Sequence, residues 1–244
     1  MVQLAAYPMI RIVKPPYVFD INPEWINPYD DEIGIVINLE DYAEKQFHCG
    51  LSFDLNTQTK VLHLTTHNCL RCDYHLNSFR CWIRPNIHKL RQEQVSIFCN
   101  VIVDHGLDFN DIPYGFSYDG KSYFENNGSL VHSTNCSGYT CGTFVLTIFH
   151  SLSLDLIDIS AWPSREEDIP WQKKILEILY YVAKRFNISE NHLSRLKREI
   201  GCPRYRPEEV AVCSALYDQH NGTPTNCQSI ITEGGLLNTY MMNV

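Results

Sequence analysis

Cysteine-based acyl chemistry needs a sulfur held as thiolate, a base that takes its proton and a group that orients the base. The chain offers a residue of the right type for each role. Cys141 stands in "TCGTFV" (Thr140–Val145), at the head of an apolar run of Phe144, Val145, Leu146, Ile148, Phe149 and Leu152. That run predicts a helix apolar nearly all round, hence central and buried, with Thr140 as its N-cap. A cysteine in the first turn sits among free backbone N–H groups at the positive end of the helix dipole, and both lower its pKa. The same N–H groups can serve an oxyanion. His48 in "FHCGLSF" and His63 in "VLHL" are the candidate base and orienter, fifteen residues apart.

Two strands must position those histidines. "FHCGLSFDL" and "KVLHLTTH" are rich in residues that suit a pleated surface, and "NTQT" between them reads as a turn. The expectation is an antiparallel pair over 48–55 and 60–67. In the second strand Val61, His63, Thr65 and His67 share one face, because side chains alternate. A histidine on one strand, oriented by a polar group on the next, is a workable base and orienter. "EIGIVINL" (Glu32–Leu39) predicts a further buried strand.

The stretch "HCGLSFDLNTQTKVLHL" resembles the His–x–Gly–apolar strand, turn and next-strand His of NlpC-type papain-like cysteine hydrolases. In those enzymes the cysteine helix precedes the strands, whereas here it follows them. That order resembles the circularly permuted branch, which includes the lecithin:retinol acyltransferase-like proteins, and "TCGTFV" is similar to the start of that branch's cysteine helix. The resemblance covers Phe47–His67 and Asn135–Leu152, roughly a sixth of the chain. It implies an α+β fold with a permuted papain-like core, a small antiparallel sheet packed on a central Cys-bearing helix. It implies a hydrolase or acyl transferase acting on an amide or (thio)ester bond through Cys141, His48 and His63. The substrate would be a peptide, amide or acyl compound; no cofactor and no bound metal are expected.

Two rivals compete for the chemistry. "NCSGYT" (Asn135–Thr140) mimics the unpermuted family's Asp–Cys–Ser–Gly, so Cys136 is an alternative nucleophile. Cys141 is preferred, because Gly138 would fall in the first turn of a helix starting at Cys136, where glycine is disfavoured. The second rival is the cluster His67, Cys69, Cys72, His75 and Cys81. Cys69 and Cys72 have the Cys–x–x–Cys spacing of a zinc knuckle, but a regular second pair is missing. A noncatalytic binding or effector-type module, zinc-stabilised through that cluster, is therefore the alternative of a different class. Tyr114 and Tyr118 precede Cys141 in an aromatic loop and either pack or donate to an oxyanion.

Composition bounds the rest. The 244 residues are 44% apolar and carry a formal charge of −8, with no long basic run, so nucleic acid is not an expected partner. The first twenty residues lack the basic and uninterrupted apolar regions of a signal peptide, and no stretch reaches the length of a membrane span. The expected setting is cytoplasmic, with the ten cysteines mostly reduced. Residues 1–160 are read as the catalytic core with an irregular, Pro- and aromatic-rich N-terminal segment, and 161–244 as a helical extension packed on it. Helices are expected from Arg84, with Pro85 in the first turn and Gly106 just past the end, though β-branched residues leave a strand open for the last half; over Trp171–Phe186; after a Ser189 cap up to Gly201; and from Pro207. The Gly-, Thr- and Asn-rich tail after Asn221 is expected to be loosely held.

Overall fold

A computed structural model of the protein describes residues 18–20, 33–41, 46–55, 58–73, 79–106 and 112–243. The expectation for residues 1–30 and the turn at 56–57 therefore fall outside the described residues, apart from the short strand β1 (Val18–Asp20). The strands β2 (Gly34–Asp41), β3 (Gln46–Leu55), β4 (Gln58–Thr66), β5 (Cys69–Asp73) and β6 (Cys81–Ile83) join β1 in one sheet. Its order is β1-β6-β2-β3-β4-β5, and each neighbouring pair is antiparallel. The class is α+β, and β3 and β4 are the antiparallel neighbours that the sequence predicts.

Alternation gives the sheet two unlike faces. Ile35 and Ile37 of β2, Phe47, Cys49, Leu51 and Phe53 of β3, and Leu62 and Leu64 of β4 enter the main core. Helices α1 (Lys89–Gly106), α2 (Cys141–Ser151) and α5 (Pro207–Ala215) cover that face. The opposite face carries a small apolar cluster of Val36, Val61, Phe79 and Trp82. His48 and His63 share this second face, and both rings contact Phe79.

Helix α2 is buried from Gly142 to Phe149, as its composition demands. Each of its large apolar side chains contributes on the order of 2 kcal/mol by leaving water, so Phe149→Ala would cost about 3–5 kcal/mol. Beyond it lie α3 (Ile169–Val182), α4 (Glu190–Arg198) and α6 (Cys227–Met241). Helices α3 and α4 close a second cluster around Ile175, Leu179, Leu193 and Leu196. By contrast, Val210, Ala211, Val212 and Cys213 of α5 belong to the main core. Among the described residues no helix is long and apolar enough to cross a membrane.

Two expectations are corrected. Helix α1 starts at Lys89 rather than around Pro85. The lead-in is held by other partners: Asn86 donates its backbone N–H to Ser214 O and its side chain to Tyr217 O. His88 then caps the helix, accepting from Leu90 N–H. The tail after Asn221 is not loose but forms α6, capped by Asn226 and burying Ile230, Leu237 and Met241. Glycine weakens this segment's helix propensity, but Gly234 lets α5 approach: a Cβ there would lie 2.9 Å from Glu209 Cγ.

Candidate active site

Thr140 and Thr143 fix the start of α2. Thr140 Oγ1 accepts from Thr143 N–H at 3.2 Å, and Thr143 Oγ1 accepts from Thr140 N–H at 2.8 Å. This reciprocal cap satisfies those two groups and leaves the first-turn N–H groups of Cys141 and Gly142 at the helix mouth. Gly142 is required for packing, since a Cβ would lie 2.7 Å from Tyr205 O.

Cys141 lines a cleft together with the start of β3. The polar groups that act on its sulfur are the His48 ring, the Cys49 thiol and the Cys49 backbone. His48 and Cys49 are consecutive and point to opposite faces, so one sulfur can reach both only alongside the strand. The opening exists because β3 and β4 pair only between Leu51↔Leu62 and Leu55↔Gln58. Ahead of Leu51 the two strands part, and Cys141 enters from the core side.

His48 continues the chain. Its Nε2 lies 2.7 Å from Nδ1 of His63, and Nε2 of His63 lies 2.8 Å from Oδ2 of Asp73. Asp73 also accepts from Arg71 at 3.1 Å. The carboxylate sets the tautomers: His63 Nε2–H donates to Asp73, so His63 Nδ1 accepts from His48 Nε2–H. His48 Nδ1 is then left for the sulfur, with Glu40 Oε1 3.7 Å away. Gly50 makes room for the contact: a Cβ there would come within 2.9 Å of His63 Cβ. Phe79 covers both rings and is itself 5% exposed, which keeps the chain dry.

The electrostatics follow from this geometry. The hydrogen bond from the Cys49 thiol, then the His48 charge and hydrogen bond, hold Cys141 well below an ordinary thiol despite burial. The Cys49 thiol, donating to that sulfur and fully buried, is pushed well up and stays protonated. Burial disfavours a charged His48, but the Cys141 sulfur and Glu40 prevail and raise its pKa. Burial and the neighbouring His48 charge depress His63 against the pull of Asp73. His63 is therefore held neutral, as its acceptor role requires. Burial, eased by His48, raises Glu40.

Cys141 lines a cleft of about 150 Å³, the size that holds a benzene-sized group. Tyr114 lines it too, and burial pushes its phenol far up, so it remains an O–H donor. Its peptide is pinned at both ends: its N–H donates to His67 Nδ1 at 3.2 Å, and its C=O accepts from His192 Nε2 at 2.8 Å.

The structure thus brings Cys141, His48 and His63 together and leaves the rivals apart. Cys136 is buried in the main core, donates to Gly138 O at 3.1 Å and is pushed up by burial. Gly138 adopts φ +150°, outside any helix. Tyr118 packs edge-on against Tyr205 in the core. Cys69 and Cys72 lie on β5 three residues apart, so their side chains point to opposite faces and cannot form a knuckle. Among the described residues no three metal-binding side chains converge; His75 lies outside them.

Sequence reasoning missed Asp73, Cys49 and Glu40. Asp73 had a readable signal, since "CLRCD" continues the strand pattern and puts Arg71 and Asp73 on the face of His63. The Cys–x–x–Cys spacing drew attention to the sulfurs of the same segment instead. No family model, no curated protein and no solved structure matches the chain.

Proposed function

We propose that this protein is a cysteine-dependent hydrolase or acyl transferase acting on an amide or (thio)ester carbonyl, built on a permuted papain-like core. The observation that carries the reading is the hydrogen-bonded series His48–His63–Asp73, with the Cys141 sulfur lining the same cleft as His48 and under its charge. The Cys141 thiolate attacks the carbonyl carbon and its electron pair moves to the oxygen. The Cys141 N–H at the helix mouth and the Tyr114 hydroxyl can donate to that oxyanion. As the tetrahedral species collapses, His48 passes its Nδ1 proton to the leaving amine, alcohol or thiol. The same nitrogen then takes a proton from water or an acceptor alcohol or amine, which attacks the acyl-sulfur bond and regenerates the thiolate. His63 orients the ring throughout and Asp73 orients His63, as the third group does in a Ser-His-Asp site.

Intact-mass detection of adducts with a panel of acyl and peptidyl electrophiles tests the reading. The expected result is one adduct, mapped to Cys141, forming at mildly acidic pH and absent in Cys141→Ala. Uniformly slow thiols, with no residue selected, would overturn it and leave the noncatalytic module standing.

A further inference from the structure

The second wall of the cleft comes from residues after 160. Trp171, Ile175 and Leu179 of α3 supply its apolar part, and Arg204, in the loop before α5, supplies a charge. Among the described residues lining the cleft, Arg204 is the one arginine or lysine. Its guanidinium lies over the Trp171 ring, 3.7 Å from the centroid. An arginine stacked this way keeps its N–H donors in plane and directed outward.

The carboxylate that Arg204 is bonded to is shared. Asp168, 1% exposed, is divided among three arginines. Arg165 Nε donates to Oδ2 at 3.1 Å, Arg204 Nη1 to Oδ1 at 3.2 Å and Arg206 Nε to Oδ1 at 3.0 Å. Arg165 also holds Glu209 through two N–H groups, and Arg206 reaches Glu167. Among the described residues Arg204 makes no ion pair with a second carboxylate. Glu208 acts on it through space, ahead of Asp168, while burial and Glu209 raise the Glu208 pKa against the pull of Arg204 and Asn238. Burial also depresses Arg204, as expected of a cation incompletely compensated for lost water.

We propose that the cleft selects a substrate carrying a carboxylate close to the scissile bond, and that Arg204 is the residue that selects it. The inference rests on Cys141 being the nucleophile. Tyr114 lines the cleft with both Cys141 and Arg204 and feels the charge of each. An acyl or peptidyl group fits in the apolar space against Trp171 and Leu179, with its carboxylate in the fork of Arg204. Glu40 stands beside His48, so the sheet wall itself repels an anion and Arg204 gives the cleft its polarity.

Matched probes separate this proposal from the reading beneath it. Bromoacetyl-glycine and bromoacetyl-β-alanine are each compared with their neutral amides, following alkylation of Cys141 by intact mass and peptide mapping. Wild type should favour the acids by about tenfold, the scale of one charge-assisted hydrogen bond. Arg204→Gln should bring the acid-to-amide ratio near one, and Arg204→Lys should retain part of the preference. In case Arg204→Gln fails to fold, a measurement on wild type stands alone: N-acetylglycine should protect Cys141 from iodoacetamide, and N-acetylglycinamide should not. Selective alkylation of Cys141 without acid preference or protection, or with a preference indifferent to Arg204→Gln, overturns the anion subsite only. No selectivity for Cys141 with any probe overturns the nucleophile reading and this one with it.

Discussion

The two walls of the cleft are built on different principles. The sheet wall places His48, His63 and Asp73 on neighbouring strands of one meander, where alternation and register set each side chain. The helical wall places Trp171 and Arg204 far apart in sequence and fixes them through Asp168, which three arginines share. Regular backbone geometry thus holds the groups that would move protons and electrons, and a buried charge cluster holds the groups that would choose the substrate. A buried ion cluster contributes little net stability, but removing one member leaves a buried charge uncompensated. Damage to the first wall should therefore appear in rate, and damage to the second in discrimination and folding.

The largest effects belong to the sheet wall. Cys141→Ala should abolish turnover of any substrate found. His48→Ala should lower kcat by about 10³-fold, in the range of a lost general acid–base. Trp171→Ala, on the other wall, should act mainly on KM. The pH profile of alkylation gives an independent reading. Cys141 reactivity should rise as pH passes upward through its lowered pKa and level off well before the ordinary thiol value of about 8.5. Cys136 and Cys213, both raised by burial, should stay silent over that range. A Cys141 titrating like a free thiol, or a helical-wall variant that matches His48→Ala in kcat, would break the comparison.

Within the sheet wall the effect should weaken with distance from the sulfur. His63→Ala should cost about 10²-fold in kcat and Asp73→Asn about tenfold, because each orients rather than transfers the proton. Gly50→Ala should resemble His63→Ala without removing a titratable group, since its methyl would fall against His63 Cβ and Val61 Cγ1. Asp73→Asn exceeding His63→Ala would mean that the carboxylate acts on His48 directly and that the relay order is wrong.

The loop carrying Tyr114 joins the two walls and should respond to acid. His67, from the turn after β4, stacks edge-on with His192 of α4. Burial, followed by the His192 charge, lowers the His67 pKa to about 4 from 6.5. Between those values the unfolded chain binds the proton and the folded chain does not. Stability should therefore fall as pH drops from 6.5 toward 4, by about 2 kcal/mol from this group. Protonation also removes the acceptor for Tyr114 N–H. His67→Gln should flatten part of the acid limb in urea titrations across that window. His63 and His192, lowered in the same direction, should keep the remainder. An unchanged acid limb would dissociate His67 from the loop.

The same contrast explains what could be read in the sequence. Strands β3 and β4 and helix α2 were legible because their patterns are local: alternation around His48 and His63, and a Thr cap before a dense apolar run. Cys141 and both histidines came with them. Asp73 was legible in principle from the strand-like "CLRCD". Arg204 carries no local pattern at all, since its place depends on Trp171 and Asp168, over thirty residues away. The tail failed for a related reason. Its glycines weaken a helix in isolation, and of them Gly234 is the one that packing against Glu209 makes useful.

The smallest expected effect sharpens the choice between two sulfurs five residues apart. Cys136 lies 5% exposed in the core, and its thiol donates to Gly138 O instead of meeting an imidazole. Gly138, at φ +150°, holds the chain open there and lets it pass beneath Pro113, whose carbonyl accepts from Tyr139 N–H. Cys136 therefore belongs to the turn that aims Thr140 and Cys141 at the cleft. Cys136→Ala removes one buried sulfur and one weak hydrogen bond, which should cost about 1 kcal/mol in stability. Alkylation of Cys141 and kcat should change by less than about twofold, well under one RT-scaled decade. Loss of activity in folded Cys136→Ala, with Cys141→Ala active, would move the nucleophile to the turn and detach it from the histidine chain.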